Sequence, residues 1–376
     1  MATCAYHAYA LLGLGFNGFG QLDRSLQDEK GEKSVKEITP SSPKQLLVST
    51  SPSFHVSIAW DSVHVSSGSS SVTGGRWLKV IETAKSRLNE HVTKIEAETT
   101  KGMIIRTASQ KMYFMASGRS DSDWKFTEIR SDKMCIAFGI LSNDKIYALM
   151  QDGILFEVTI STETTKNDDK KLIPSLIFLQ FGLSLPVPSG VPITQMACGV
   201  DHVLALSSHG DLFSFGLNSR GQLGLGDILP QTQPTLVKAL AGIKTLSIAC
   251  GHWHNLALSE FGDVYSWGWN EHAQLGHSND TPVVAIPTLI ELPPEDQDDV
   301  NFMSIGCGER HSVAVSEDGR VYAWGWSKYG QLGAHRSSGL SENVVKRPEV
   351  ILDLKMRAVG VYCGHWNTLL VVENTG

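Results

Sequence analysis

Three histidines stand at one place in three phrases of shared wording. They are His202 in Cys198-Gly199-Val200-Asp201-His202, His254 in Cys250-Gly251-His252-Trp253-His254, and His311 in Cys307-Gly308-Glu309-Arg310-His311. Histidine suits acid–base work near neutral pH and is a common metal ligand. Neither role fits well here. A fourth phrase, Cys363-Gly364-His365-Trp366-Asn367, has asparagine in the slot. His and Asn share hydrogen bonding but not titration, so the slot is expected to hold a buried hydrogen bond that fixes a turn. His252 and His254 have an H-x-H spacing that could reach a metal from one strand face, but no third ligand accompanies them. Four of the six cysteines, Cys198, Cys250, Cys307 and Cys363, also share one slot. Equivalent points on stacked sheets lie about 10 Å apart, beyond a disulfide or a shared zinc ion. These thiols are expected to be small, buried and unpaired, as in the nucleus or cytoplasm. Gly-x-Ser-x-Gly and His-Glu-x-x-His phrases do not occur, and the Gly-x-Gly pairs lack the strand-to-helix context of a nucleotide loop. No catalytic residue, metal or cofactor is expected.

The residues that vary between the phrases are better candidates for function. Between glycine and histidine (or asparagine) they are Val200-Asp201, His252-Trp253, Glu309-Arg310 and His365-Trp366. A second variable group reads Leu217-Asn218-Ser219-Arg220, Trp269-Asn270-Glu271-His272 and Trp326-Ser327-Lys328-Tyr329. Trp, Tyr and Arg dominate binding hot spots, and loop ends are where partners are met. The candidate partner-binding residues are therefore Trp253, Trp366, His252, His365, Arg310, Trp269, Trp326, Lys328 and Tyr329. Trp269 and Trp326 could equally pack between structural units. Trp253 and Trp366 are the better candidates, because Asp201 and Arg310 at the same slot imply exposure.

The frame that positions these residues is a repeat. Gly199, His202, Gly210, Gly216 and Gly224 recur in order as Gly251, His254, Gly262, Gly268 and Gly276, and again as Gly308, His311, Gly319, Gly325 and Gly333. A period of roughly 40–55 residues suggests a propeller or a solenoid. Within each copy the apolar residues alternate, as in strands. The pairs His209-Gly210, Phe261-Gly262 and Asp318-Gly319 read as hairpin turns. Later apolar runs at Thr235–Val237, Thr288–Ile290 and Val350–Leu352 close each unit, giving about four strands per copy.

These copies resemble repeats of the regulator of chromosome condensation family. The matching parts are the Cys-Gly-x-x-His start, the Ala-Leu or Ala-Val run, the turn glycine, Trp-Gly and Gly-Gln-Leu-Gly. Phe215 departs from the pattern in the first copy and Ala273 in the second. The resemblance implies an all-β fold, a seven-bladed β-propeller, acting as a non-catalytic scaffold. It further implies a nuclear, chromosome-associated protein, with the cytoplasm as a second compartment. The implied partner is a JmjC-domain 2-oxoglutarate-dependent oxygenase, with histones or chromatin beside it and effects on histone methylation and chromosome segregation. The alternative the family offers is guanine-nucleotide exchange on a Ran-like small GTPase.

The chain ends complete one another. The phrase from Cys363 to Val372 is the first half of a fourth copy, and Leu11–Leu22 matches Val264–Leu275, the second half. A blade shared between the termini is expected to close the ring and remove two open edges. Residues 1–22 are thus closing strands, 23–44 a flexible loop, 45–180 degenerate blades, 195–333 three well-matched repeats and 360–376 the C-terminal half of the shared blade. In the degenerate part, units are expected near His55, Tyr113 and Tyr147, the last with Gly153 as its turn glycine. Trp77–Glu98 reads as helix or strand, Ser161–Lys171 as an exposed loop, and Leu172–Pro188 as a connector plus an outer strand.

The 376 residues are 41% apolar with 35 glycines, as suits a ring rich in tight turns. With 32 basic against 39 acidic residues the net charge is −7, which argues against strong direct nucleic-acid binding. No membrane span or signal peptide is read in the sequence.

Overall fold

The computed structural model describes residues 9–15, 36–38, 47–51, 54–59, 62–67, 92–99, 102–107, 109, 111–116, 125–130, 134–142, 145–166, 172–188, 190–277, 281–294, 300–333, 343–351, 357–364 and 366–373. Among these, the elements are strands apart from a 3-10 turn at Lys238–Leu240. β1 (Tyr9–Gly15) and β2 (Lys36–Ile38) form a hairpin, Leu11 opposite Ile38. The short β2 falls inside the stretch expected to be a flexible loop. β3 (Leu47–Ser51), β4 (Phe54–Ala59) and β5 (Ser62–Ser67) make a three-stranded sheet around His55.

The next two units are joined. β6 (Val92–Thr99), β7 (Gly102–Thr107), β8 (Met112–Ala116) and β9 (Lys125–Arg130) form one four-stranded set. β10 (Cys135–Ile140), β11 (Ile146–Met150), β12 (Leu155–Lys166) and β13 (Leu172–Leu185) form the other. The outer strands β13 and β9 pair in parallel, with Ile177 beside Ile129, so the two sets merge into an eight-stranded sheet. Each outer edge is thereby covered by the other. The ambiguity at Trp77–Glu98 resolves to strand from Val92 onward; the residues before Val92 lie outside the described set. The expected loop at Ser161–Lys171 is corrected, because β12 continues through Lys166. Its β-branched run Thr159–Thr165 pairs with Ile173–Gln180 of the outer strand instead of leaving the sheet. Pro174 sits opposite Thr164 next to a bulge, where a missing N–H is tolerated.

The strongly repeated part gives three four-stranded antiparallel blades. They are β14 (Ile193–Cys198) to β17 (Gln231–Leu236) with β15 (His202–Ser207) and β16 (Leu212–Gly216) between them, then β18 (Thr245–Cys250), β19 (His254–Ser259), β20 (Val264–Trp269) and β21 (Val283–Leu289), then β22 (Phe302–Cys307), β23 (His311–Ser316), β24 (Val321–Trp326) and β25 (Val344–Val350). Alternation implied one covered face. The second strands β15, β19 and β23 are instead buried along their whole length, because a blade lies against both faces. One apolar cluster runs through Leu256, Val313, Trp324, Val361 and Leu370, so the core is a set of layers between blades.

The turn glycines serve that packing. Gly262 has φ 83°, and its carbonyl accepts the N–H of Phe302 in the next blade at 2.9 Å. Gly153 has φ 80° and makes the same bond to Ile193 at 3.0 Å, as its assignment to the turn slot requires.

β26 (Ala358–Cys363) and β27 (Asn367–Glu373) complete the ring. β27 pairs antiparallel with β1, Leu12 opposite Leu370 and Gly15 opposite Asn367. The closing sheet therefore has the order β2-β1-β27-β26, two strands from each end of the chain. Counted with it, the described residues form seven units, and the fold is the expected all-β propeller closed by a shared blade.

Candidate functional site

The three histidines bond between blades, not within a turn. His202 Nε2 lies 2.7 Å from Asn255 Oδ1, His254 Nε2 3.0 Å from Ser312 Oγ, and His311 Nε2 3.1 Å from Thr368 Oγ1. Each partner in turn donates to a carbonyl of the histidine's own blade. Asn255 Nδ2 reaches Gln222 O at 2.8 Å, Ser312 Oγ reaches Gln274 O at 2.7 Å, and Thr368 Oγ1 reaches Gln331 O at 2.8 Å. The accepting atom in each pair must then take its hydrogen from histidine Nε2, which fixes the tautomer. The repeated indoles add to the clasp, Trp267 Nε1 bonding Gln222 O at 3.0 Å and Trp324 Nε1 bonding Gln274 O at 2.9 Å. Burial, with the neighbouring His311 and His202, holds His254 down to about 3, so it is neutral at physiological pH. These histidines are inter-blade rivets.

The four repeated thiols lie in or against the core clusters. Cys135, Cys198, Cys250, Cys307 and Cys363 are free, and burial pushes Cys198 and Cys363 up to about 12. Among the described residues no group of three potential metal ligands occurs.

The variable residues assemble into one feature. Strands β15, β19 and β23 start at the histidine end, and β16, β20 and β24 return to it, so both variable groups share the ring face opposite the Gly210, Gly262 and Gly319 turns. On that face the rings follow one another in edge-to-face and tilted contacts. His252 and Trp253 are 5.1 Å apart, Trp253 and Trp269 5.2 Å, Trp269 and His272 5.5 Å, and His272 and Trp326 6.1 Å. Trp326 and Tyr329 at 5.6 Å and Tyr329 and Trp366 at 5.4 Å continue the belt to the closing blade. Cations lie on these rings. Arg220 is 4.4 Å above Trp253 and 4.9 Å from Trp269, Arg310 is 5.5 Å from Trp269 and 5.8 Å from Trp326, and Lys328 is 5.8 Å from Tyr329.

Two carboxylates sit within the belt. Asp201 Oδ2 accepts the Trp253 indole N–H at 3.2 Å, and its other oxygen accepts Gln222 Nε2 at 3.0 Å. Burial raises the Asp201 carboxyl, but the adjacent His202 and the hydrogen bonds from Gln222 and Trp253 outweigh it and hold it below its usual value. Glu309 Oε1 lies 3.4 Å from both His252 Nδ1 and Arg310 Nε. Burial raises Glu309, against the opposing pull of Arg310 and the Trp366 hydrogen bond. Burial and the Arg310 charge lower His272, whose Nε2 is 3.3 Å from Arg310.

Eight of the nine expected residues therefore meet in one belt; His365 lies outside the described residues. Trp269 is the most buried of them at 7% exposure, and its ring carries two guanidiniums. Sequence reasoning left out Arg220, His272, Asp201 and Glu309. The signal was present in the alternation of acid and indole in successive copies, Asp201 before Trp253 and Glu309 before Trp366, which read as variation and not as pairing. The belt can do recognition chemistry, through cation-stacked indoles and rigid aromatic surface.

Comparisons with known proteins agree with this geometry. Family models for the regulator of chromosome condensation (RCC1) repeat match residues 209–258, 262–315 and 318–371, and a second such model matches 193–222, 246–274 and 304–331. Human RCC1 domain-containing protein 1 is 31% identical over 228 residues, covering 51% of this chain and 59% of the relative. The match thus spans little more than half the relative's length. The yeast RCC1 protein Prp20, in its structure with Kap60, superposes with a TM-score of 0.69 at 18% identity, over 99% of this chain and 90% of that one. A second Saccharomyces cerevisiae Prp20p structure, described with its binding properties to Gsp1p and histones, gives 0.64 at 17% identity over 99% and 93%.

Proposed function

We propose that the chain, which carries three regulator of chromosome condensation repeats, is a non-catalytic protein-interaction scaffold whose docking face is the aromatic–cationic belt. The observation that carries the proposal is the continuity of that belt across three blades and the closing blade. Its rings and cations are not needed for the repeated clasp, which is made by His202, His254, His311 and the glutamine carbonyls. Residues beyond the needs of the fold, gathered on one face and rich in Trp and Arg, are suited to holding a partner.

The finer reading places the protein in the nucleus, on chromatin, with a JmjC-type oxygenase as partner and histone methylation and chromosome segregation as outcomes. Family resemblance supports it. The belt is compatible with it and does not select that partner. Crosslinking mass spectrometry on the endogenous complex tests both levels. Crosslinks from Lys328 to another protein support the docking face, and recovery of a JmjC oxygenase supports the named partner. A complex crosslinked only through the opposite face overturns the first.

Exchange on a Ran-like GTPase is the second reading, favoured by the fold shared with Prp20. A shared fold alone is weak support for a shared activity. Accelerated nucleotide release from a small GTPase by catalytic amounts of the purified chain decides for exchange and against the scaffold.

A further inference from the structure

We infer that the belt face receives an acidic segment of a protein partner, one carboxylate seated on the Arg220 guanidinium between Trp253 and Trp269. This rests on the docking reading above and names the chemistry of the occupant.

The argument starts from which polar groups on this face lack complements. The two half-buried acids are engaged: Asp201 holds Gln222 and Trp253, and Glu309 holds Arg310 and His252. Arg220 differs from Arg310. Among the described residues no carboxylate lies within ion-pair distance of its guanidinium, which rests only on the Trp253 and Trp269 rings at 4.4 and 4.9 Å. Stacking on an indole face leaves the N–H edge of a guanidinium available, and that planar edge matches a carboxylate with two parallel bonds.

The glutamines point the same way. In the first copy Gln222 Nε2 finds Asp201. In the next two copies that acid's slot holds Trp253 and Arg310, and Gln274 Nε2 and Gln331 Nε2 are fully buried with no acceptor. Their oxygens are already fixed by the N–H groups of His272 and Tyr329, at 2.8 and 3.0 Å, so the amide orientation is set. The unmet groups at Arg220, Gln274 and Gln331 are therefore all donors, of which the partly exposed Arg220 is the one a partner can reach, the two glutamine amides being fully buried. Lys328 adds a further exposed cation, while Asp227 and Glu271 are exposed acids of the same loops. On a chain of net charge −7, such a face selects an acceptor-rich partner. Aromatic rings flanking the cations favour a peptide over a bare polyanion, because they offer apolar contact between the charges.

The test uses the full chain and fluorescence anisotropy with a labelled dodecapeptide repeating Glu-Leu-Gly. The expected result is saturable binding, at least tenfold weaker for the same peptide with Gln in place of Glu. Arg220→Gln is expected to weaken the glutamate peptide at least tenfold with an unchanged melting curve, and Arg220→Lys to fall between. Equal binding of the glutamine peptide overturns the inference, as does unchanged affinity of Arg220→Gln. So does a single-stranded oligonucleotide that outcompetes the glutamate peptide. The glutamine control needs no variant, so the result stands even where Arg220→Gln folds poorly. If the acidic peptide fails while Trp253→Ala plus Trp366→Ala loses the cellular partner, the acidic reading falls and the docking face remains. If that double variant keeps its partner, the docking face falls too.

Discussion

The Trp253 indole N–H is bound to Asp201 Oδ2 at 3.2 Å, so an indole of one blade is held by an acid of the blade before it. Both residues are only half-buried; Asp201 touches the clasp at Gln222 and beside His202, whereas the Trp253 indole is outside it. Trp253 is thus held on the recognition surface without carrying the fold. Trp253→Ala plus Trp366→Ala is expected to weaken partner binding by about 2 kcal/mol or more, the scale of a hot spot. Far-UV circular dichroism and the melting curve are expected to stay close to wild type. A double variant that unfolds shows these indoles to be structural, and the site assignment is then wrong.

How much of this was legible beforehand depends on how each residue acts. Gly262, Gly153 and the match of Leu11–Leu22 to Val264–Leu275 are local signals, a turn glycine or a phrase, and they gave the blades and the closure directly. The pairing of Asp201 with Trp253 and of His254 with Ser312 is contact between blades, which sequence spacing cannot register. The Ser161–Lys166 strand was hidden for another reason. Its polar, β-branched residues read as solvent-facing loop, and only the neighbouring run from Leu172 turns them into an outer hairpin.

Ser312 tests the clasp. Its hydroxyl accepts from His254 Nε2 and donates to Gln274 O, both within a fully buried site. Ser312→Ala removes one small oxygen and leaves a donor and an acceptor without partners. A loss of about 1–3 kcal/mol is expected, read from the urea midpoint. A change below about 0.3 kcal/mol would mean the bond is not a structural tie.

The same histidine predicts a pH dependence. His254 is held down to about 3 in the folded chain, against an ordinary value near 6.5. As pH falls below 6.5 the unfolded chain takes up a proton that the native one refuses, so stability is full above 6.5 and declines below it. The slope from this residue is about 1.4 kcal/mol per pH unit. Asp201, held below its usual value, gives up its contribution further down, while His272 and His277, also lowered by burial, add a decline of the same sign in this window. Urea denaturation at stepped pH should show the decline; a flat profile there would mean the unfolded and native histidines bind protons alike.

Ala273 holds φ 57° where the equivalent Gly221 and Gly330 have 68° and 77°. A β-carbon in that region costs roughly 1–2 kcal/mol, part of which glycine returns as unfolded-chain entropy. Ala273→Gly is expected to stabilise the protein by about 0.5–1 kcal/mol, seen as a higher melting temperature. A lower one would show that the Ala273 methyl packs usefully enough to offset its backbone.

The closing sheet makes the most demanding prediction. β1 is laddered to β27 along its whole length, from Tyr9 opposite Glu373 to Gly15 opposite Asn367. β27 is also paired on its other side with β26, and Leu369, Leu370 and Val372 in it are buried. Removing residues 1–22 would leave the β1-facing edge of β27 bare and uncover the blade faces on either side of the gap. Such an edge pairs with other chains. The truncated chain is therefore expected in the insoluble fraction, or soluble only as oligomers with a lowered melting temperature. Adding the 1–22 segment as a separate peptide during refolding should restore monomer, since the segment would pair with β27 as β1 does. Soluble, monomeric truncated protein with an unchanged melting curve would mean that the ring does not depend on its shared blade.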